Sequence, residues 1–211
     1  MILRRFVLAL IAFSLMASVC AGAPSVKYQV DKNYPPYTFQ NKEYLYGFDS
    51  SLITLVLDST DYDVDYSADS WDRVYKRLVK GDIDIGGIIA VTEERKKEVL
   101  FTKPLFNSYV SIYTLAHFRK IALEDLADLR VGVGKSYYTE SLLRNTLHIS
   151  PYQTYDDIDD ALPDLLDGKI DVIFENQQLM DYTIISKNLK GIVVPQVTNL
   201  FPREHAYAVS K

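Results

Sequence analysis

The run Thr92-Glu93-Glu94-Arg95-Lys96-Lys97 is where the sequence first offers chemistry. Thr92 is of a type that caps helices, and two acids in the next turn suit the positive end of a helix dipole. An arginine one turn inside such a cap carries a planar fork of donors that matches a carboxylate. Backbone N–H groups of the same turn add to an anion site. A solvated charged face, with Arg95 beside Lys96 and Lys97, is the other reading, and spacing alone leaves both open. Catalytic constellations are scarce. His117, His148 and His205 lack metal-ligand spacing, and there is no Gly-x-Ser-x-Gly turn. The stretch Gly132 to Ser136 imitates the end of a phosphate-binding loop but lacks its first glycine at the right spacing. The 16 tyrosines suit sites that are apolar on one face and polar at one end.

The elements that must hold these residues alternate in type. Strand patterns fall at 26–30, 62–66, 84–90, 109–115, 131–133, 170–174 and 206–209, with 192–195 extended. Helical spacing falls at 49–57, where Asp49 or Ser50 offers a cap, and at 71–79, which Gly81 ends. A further helix starts at Thr92, and others are expected at 123–129, 138–147, 156–166 and 177–186. Pro35 and Pro36 forbid helix after the first strand. The alternation predicts an α/β class with mainly parallel sheets. A unit of helix, glycine and Ile-Asp strand occurs twice, as LVKGDIDIGG and LLDGKIDVIF. Each copy would bring a strand C-terminus to a crevice, where open α/β sheets bind ligands.

The N-terminus fixes the compartment. Arg4 and Arg5 precede an apolar run from Phe6 to Val19, and small residues follow at Ala21, Gly22 and Ala23. These are the parts of a cleaved secretory signal, and the run is short for a membrane span. Cleavage is expected after Ala21 or Ala23 rather than lipid attachment at Cys20, the only cysteine. The mature chain then has no cysteine and needs no disulfide. It keeps 21 basic against 28 acidic residues, because Arg4 and Arg5 leave with the signal. A net charge of that sign excludes an electrostatic footprint for nucleic acid. With 48% hydrophobic and 24% charged residues, the composition is that of a packed globule.

In order along the chain stand YPPYTF, YGFDSSL, SWDRVYKRLVKGDIDI, VTEERKKEVLFTKPLF, LEDLADLRVGVGKSYYTESLL and LLDGKIDVIFENQ. This series resembles the bacterial extracellular solute-binding proteins of family 3, the amino-acid-binding periplasmic proteins of uptake systems and related sensor domains. The resemblance covers about Tyr28 to Lys211, and TEERKKEVLFTKP is its most specific part. It implies the two-lobed type II periplasmic binding fold, closing like a hinge on its ligand. On that likeness residues 1–23 are the signal, 24–107 lobe 1, 108–115 a first hinge strand and 116–198 lobe 2. Residues 199–211 are the second crossing and the start of a return to lobe 1. Family chains usually continue with one or two helices, and this sequence stops at Lys211, so the reading expects lobe 1 without them.

The resemblance also implies a site. Arg95 matches the arginine that holds the ligand carboxylate, with Thr92 opening its turn. Tyr34 and Trp71 match positions that pack on ligand, and Asp31 matches an acid at the crevice mouth. Ala90 stands where the family often places a hydroxyl donor. Ser136, Tyr137 and Tyr138 replace a Gly-Thr-Thr-like turn whose threonine helps to hold the carboxylate. Asn176 aligns with the aspartate that pairs with the ligand ammonium, and Glu175 is adjacent. Asn cannot neutralise an ammonium, so either Glu175 takes the amine or the ligand lacks one.

The function implied is periplasmic binding of a small carboxylate-bearing solute by a monomer, without metal or cofactor, for an ABC permease or a membrane sensor. Two alternatives stand beside it. One is a cyclohexadienyl dehydratase-like enzyme with Glu175 as the acid. The other is a degenerate family member that no longer binds.

Overall fold

The computed structural model describes residues 23–211; the expected signal and Cys20 lie outside the described residues, Ala23 apart. The strands are β1 (Ser25–Asp31), β2 (Asn33–Tyr34), β3 (Thr38–Asn41), β4 (Tyr44–Tyr46), β5 (Asp63–Asp69) and β6 (Ile85–Ala90). They continue as β7 (Leu100–Phe101), β8 (Phe106–Leu115), β9 (Val131–Gly134), β10 (Gln153–Tyr155), β11 (Val172–Asn176) and β12 (Val193–Val209). The helices are α1 (Phe48–Leu57), α2 (Trp71–Lys80), α3 (Glu93–Glu98), α4 (Tyr138–Ser141), α5 (Ala161–Leu166) and α6 (Gln177–Ser186).

The main sheet runs β10-β9-β11-β8-β12-β6-β1-β5. Its two outer thirds are parallel: β5, β1 and β6 on one side, β11, β9 and β10 on the other. Between them β8 and β12 run antiparallel to each other and to the strands they adjoin. These two strands are therefore shared by both halves. The twice-occurring Ile-Asp unit takes equivalent places, with β6 beside β12 and β11 beside β8. Gly81 and Gly168, the glycines of that unit, both adopt left-handed φ (75° and 69°) just after α2 and α5. That conformation stops a helix at little cost.

The cores follow the halves. Tyr28, Val30, Ile53 and Ile88 pack under α1, while Val110, Val133, Leu143 and Phe174 pack in the other half. A third cluster joins the two, reaching from Trp71, Val74 and Leu78 of α2 through Tyr137 to Ile158, Leu165 and Leu179.

Several elements differ from the sequence reading. The stretch after β1 forms a small antiparallel sheet, β2-β3-β4, whose strands are too short to show alternation. The extended pieces at 192–195 and 206–209 belong to one 17-residue strand. Three register shifts between Pro195 and Arg203 accommodate its two prolines, Pro195 and Pro202. The helix expected over 138–147 is α only to Ser141 and then widens to a π turn over Leu142–Thr146.

Helix α1 starts at Phe48, not at an Asp49 or Ser50 cap, because Asp49 has other duties. Its buried carboxylate accepts from the Tyr28 hydroxyl (2.9 Å) and the Ile88 N–H (2.7 Å), and its carbonyl accepts from the Tyr207 hydroxyl (3.1 Å). The start of α1 is thus tied to β1, β6 and β12. The preceding loop is tied to it in turn, with Phe48 N–H donating to Pro36 and Asp49 N–H to Tyr37. Gly47 makes this junction possible: its φ is 115°, and a Cβ there would fall 2.2 Å from the Tyr37 carbonyl oxygen. We expect Gly47→Ala to lower stability by about 2 kcal/mol or more, read as a lower urea midpoint at unchanged slope. An unchanged midpoint would show the junction to be slack.

Candidate functional site

The C-terminal ends of β1 and β6, the start of α2 and the turn between β9 and α4 meet at the middle of the sheet. They enclose a cavity of about 40 Å³. Of the residues singled out in the sequence, Asp31, Tyr34, Trp71, Ala90, Arg95 and Tyr138 border it. Thr92, Glu175 and Asn176 do not.

Arg95 lies at the centre of the arrangement. Thr92 caps α3 by accepting from the Arg95 N–H (3.2 Å), which fixes the start of the arginine side chain. The alternative of a solvated arginine is overturned: Arg95 is 8% exposed. Its guanidinium lies over the neighbouring rings of Trp71 (5.4 Å) and Tyr75 (5.2 Å), whose centroids are 5.5 Å apart. Trp71 and Tyr75 share a face of α2 because they stand four residues apart. The Tyr75 hydroxyl donates to Glu98 (2.5 Å), which fixes that ring. Nη1 of Arg95 donates to the Ala90 carbonyl (3.0 Å) and Nη2 to the Ser136 carbonyl (3.2 Å). Ala90, a lost hydroxyl in the sequence, thus contributes through its backbone. No carboxylate pairs with Arg95 among the described residues, and burial pulls the guanidinium below its ordinary value.

Asp31 ends β1. One oxygen accepts from the Asn33 N–H (3.0 Å) and the other from the Tyr137 hydroxyl (2.5 Å). Burial pushes its carboxyl up to about 6. Tyr34 stacks on Tyr37 (5.4 Å) and meets Tyr137 edge-on (5.3 Å). The Trp71 indole N–H donates to the Ser136 carbonyl (3.0 Å). Tyr138 borders the cavity at 5% exposure and packs edge-on to His205 (6.3 Å).

Glu175 and Asn176 point elsewhere. The Glu175 carboxylate, wholly buried, accepts from the N–H groups of Gly134 (3.1 Å) and Asn176 (2.7 Å) and from the Thr139 hydroxyl (3.0 and 3.1 Å). Asn176 caps α6, its side-chain oxygen accepting from the Leu179 N–H (3.0 Å). Neither residue borders the cavity. Asp31 and Asp49 are the carboxylates that border the cavity, and each has both oxygens hydrogen-bonded within the protein.

Sequence reasoning missed Tyr37, Tyr75 and His205, and named Tyr137 only as part of the replaced turn. Tyr75 had a signal, its spacing from Trp71. His205 had none, because its place depends on β12 setting it opposite Ala90 and Phe106. Its ring stacks on Phe106 (5.3 Å), and Phe106 stacks on Tyr37 (5.3 Å). Burial holds His205 down to about 4, so the ring is neutral at pH 7.

With this geometry in view, comparison with known proteins is specific. Residues 26–124 match the family described as bacterial extracellular solute-binding proteins, family 3. Over that stretch, just under half of the chain, the sequence resembles this family. It is 26% identical over 198 residues to the Escherichia coli (strain K12) ABC transporter arginine-binding protein 1, covering 90% of this chain and 80% of that one. Its fold is shared with a histidine kinase sensor domain with similarity to periplasmic binding proteins (TM-score 0.84, 21% identity, 90% of this chain and 84% of that one). It is also shared with an ancestral arginine-binding protein bound to arginine (TM-score 0.80, 22% identity, 90% and 86%). Among the described residues no helix is long and apolar enough to cross a membrane.

Burial also pushes the Glu175 carboxyl up to about 7, so the fold favours its protonated form. The stability this confers is fully present below the ordinary carboxylate range and is lost as pH rises through about 7. His205 works in the opposite sense, but only between about 4 and its ordinary 6.5. We expect the melting temperature to fall less between pH 5 and pH 8 in Glu175→Gln than in the wild type. An equal fall in both would show that Glu175 does not titrate there.

Proposed function

We propose that this protein binds a small carboxylate-bearing solute in an extracytoplasmic compartment, between two halves that close about β8 and β12. One observation carries the reading: the Arg95 guanidinium is buried without an acid partner among the described residues. A buried charge without a counter-ion is costly unless the site exists to receive one. Guanidinium has five N–H donors. Two of them are used, by the Ala90 and Ser136 carbonyls, which leaves three for a carboxylate. Trp71 and Tyr75 fix the plane of the fork.

The other end of the solute is read by Asp31, with Tyr34 and Tyr37 as apolar walls. An α-amino acid suits this pair of anchors, its carboxylate on Arg95 and its ammonium on Asp31. Binding to Asp31 requires the Tyr137 hydroxyl to give way. The binding half of the reading agrees with the family, and the E. coli arginine-binding relative supports delivery to an ABC permease.

The test is a thermal-shift screen of the dialysed protein against amino acids, keto acids and amine-free aromatic acids, followed by calorimetry on each compound that raises the midpoint. We expect an α-amino acid to stabilise the protein, and Arg95→Ala to bind it at least about thirtyfold more weakly, a loss of about 2 kcal/mol. Arg95→Lys keeps the charge without the fork and should fall between. Full affinity in a folded Arg95→Ala would sink the carboxylate assignment. Stabilisation by amine-free acids alone would remove Asp31 from the site.

A further inference from the structure

The turn between β9 and α4, Lys135 to Tyr137, belongs to one half of the molecule and is bonded to the other. The Ser136 carbonyl accepts from Arg95 Nη2 and from the Trp71 indole N–H. The Ser136 hydroxyl donates to Asp72 at the start of α2 (2.7 Å). The Tyr137 hydroxyl donates to Asp31, and its ring lies edge-on against Tyr34. At the rim, the Asn33 amide donates to Asp157 (2.8 and 3.0 Å). Every one of these links joins two protein groups, and together they take up Arg95 and Asp31, the anchors assigned above to a solute.

The turn is built to make these contacts. Ser136 holds a left-handed φ of 61°, which aims its carbonyl, and its N–H donates to Glu140 (2.6 Å). The Tyr137 ring is packed onto Gly134, where a Cβ would fall 2.3 Å from it. Tyr137 also lies in the cluster that joins α2 to the opposite half. With the turn in place, the cavity has room for about three water molecules, far below the several hundred Å³ of an ordinary ligand site.

We propose that Lys135–Tyr137 is an intramolecular latch: the Ser136 carbonyl and the Tyr137 phenol stand in for a solute on Arg95 and Asp31, so that the two halves close on each other without one. The cross-cleft bonds are protein to protein, so the closed form draws its stability from the chain itself. A solute then has to take Asp31 back from the Tyr137 hydroxyl and share Arg95 with the Ser136 carbonyl or replace it. Its apparent affinity is reduced by the fraction of molecules in which the turn has let go. The word "solute" here rests on the proposed function; closure by the latch does not.

The experiment is therefore done with no solute present. The signal-free chain has no cysteine of its own, and exposed Glu43 and Ser186 lie on opposite halves. Glu43→Cys with Ser186→Cys allows spin labels whose separation reports closure. Protein is unfolded in guanidinium, dialysed and refolded to strip any carried solute, with folding checked by circular dichroism. We expect the refolded protein to show mainly the short separation, and Tyr137→Phe, which removes only the hydroxyl, to raise the long-separation population at least about threefold. Tyr137→Ala should raise it further; where that variant does not refold, Tyr137→Phe decides. A mainly long separation with Tyr137 intact would overturn the latch, as would an unchanged distribution in Tyr137→Phe. Failure of Arg95 to bind a carboxylate would leave these distances untouched, so the two readings fail separately.

Discussion

A guanidinium held in the interior with no acid paired to it among the described residues sets the terms for the rest of the molecule. Its charge is met by two aromatic faces and by two carbonyl oxygens, and the carbonyls come from different halves: Ala90 at the end of β6, Ser136 after β9. Neither half can satisfy Arg95 in this way alone. The arrangement therefore needs both crossing strands, which hold the end of β6 within reach of the β9–α4 turn. It also needs Trp71 and Tyr75 on one face of α2, and the Thr92 cap that starts the arginine in the right direction.

The tyrosines answer a related need. Three carboxyls, Asp31, Asp49 and Glu175, are buried near the middle of the sheet, and burial raises each above the ordinary range. Pairing each with a lysine or arginine would bring more charge inside. The chain uses uncharged donors instead: the phenols of Tyr28 and Tyr137, the hydroxyl of Thr139 and backbone N–H groups. A phenol satisfies a buried acid and fills space with its ring at once. The abundance of tyrosine thus serves the polar interior as much as a ligand wall.

What was legible in the sequence was local. The periodicity and Gly81 stop of α2, the Thr92 cap and the Ile-Asp strands each depend on a few adjacent residues. Arg95 was legible as chemistry, and the family resemblance rather than spacing chose its role. What depends on register was hidden. Adjacency could not say whether Glu175 or Asn176 faces the cavity, and neither does: one is held by the Gly134 and Thr139 groups, the other caps α6. Asp49 looked like a helix cap because caps and buried tethers draw on the same residue types. His205 becomes a wall of the site only through the pairing of a strand that reads in the sequence as two separate pieces.

That strand has a mechanical consequence. Between Pro195 and Arg203 the β12 ladder slips register three times, and its two prolines bring no N–H to it. From His205 to Tyr207 it is paired without a break to β6, with β8 met at His205 and β7 at Ala208. One ribbon therefore has a compliant span and a stiff end. On the proposed closure, torque between the halves would be taken up in this compliant span. The stiff end carries His205 as a fixed part of the β6 side, so this face of the cavity keeps its shape while the opposite face swings.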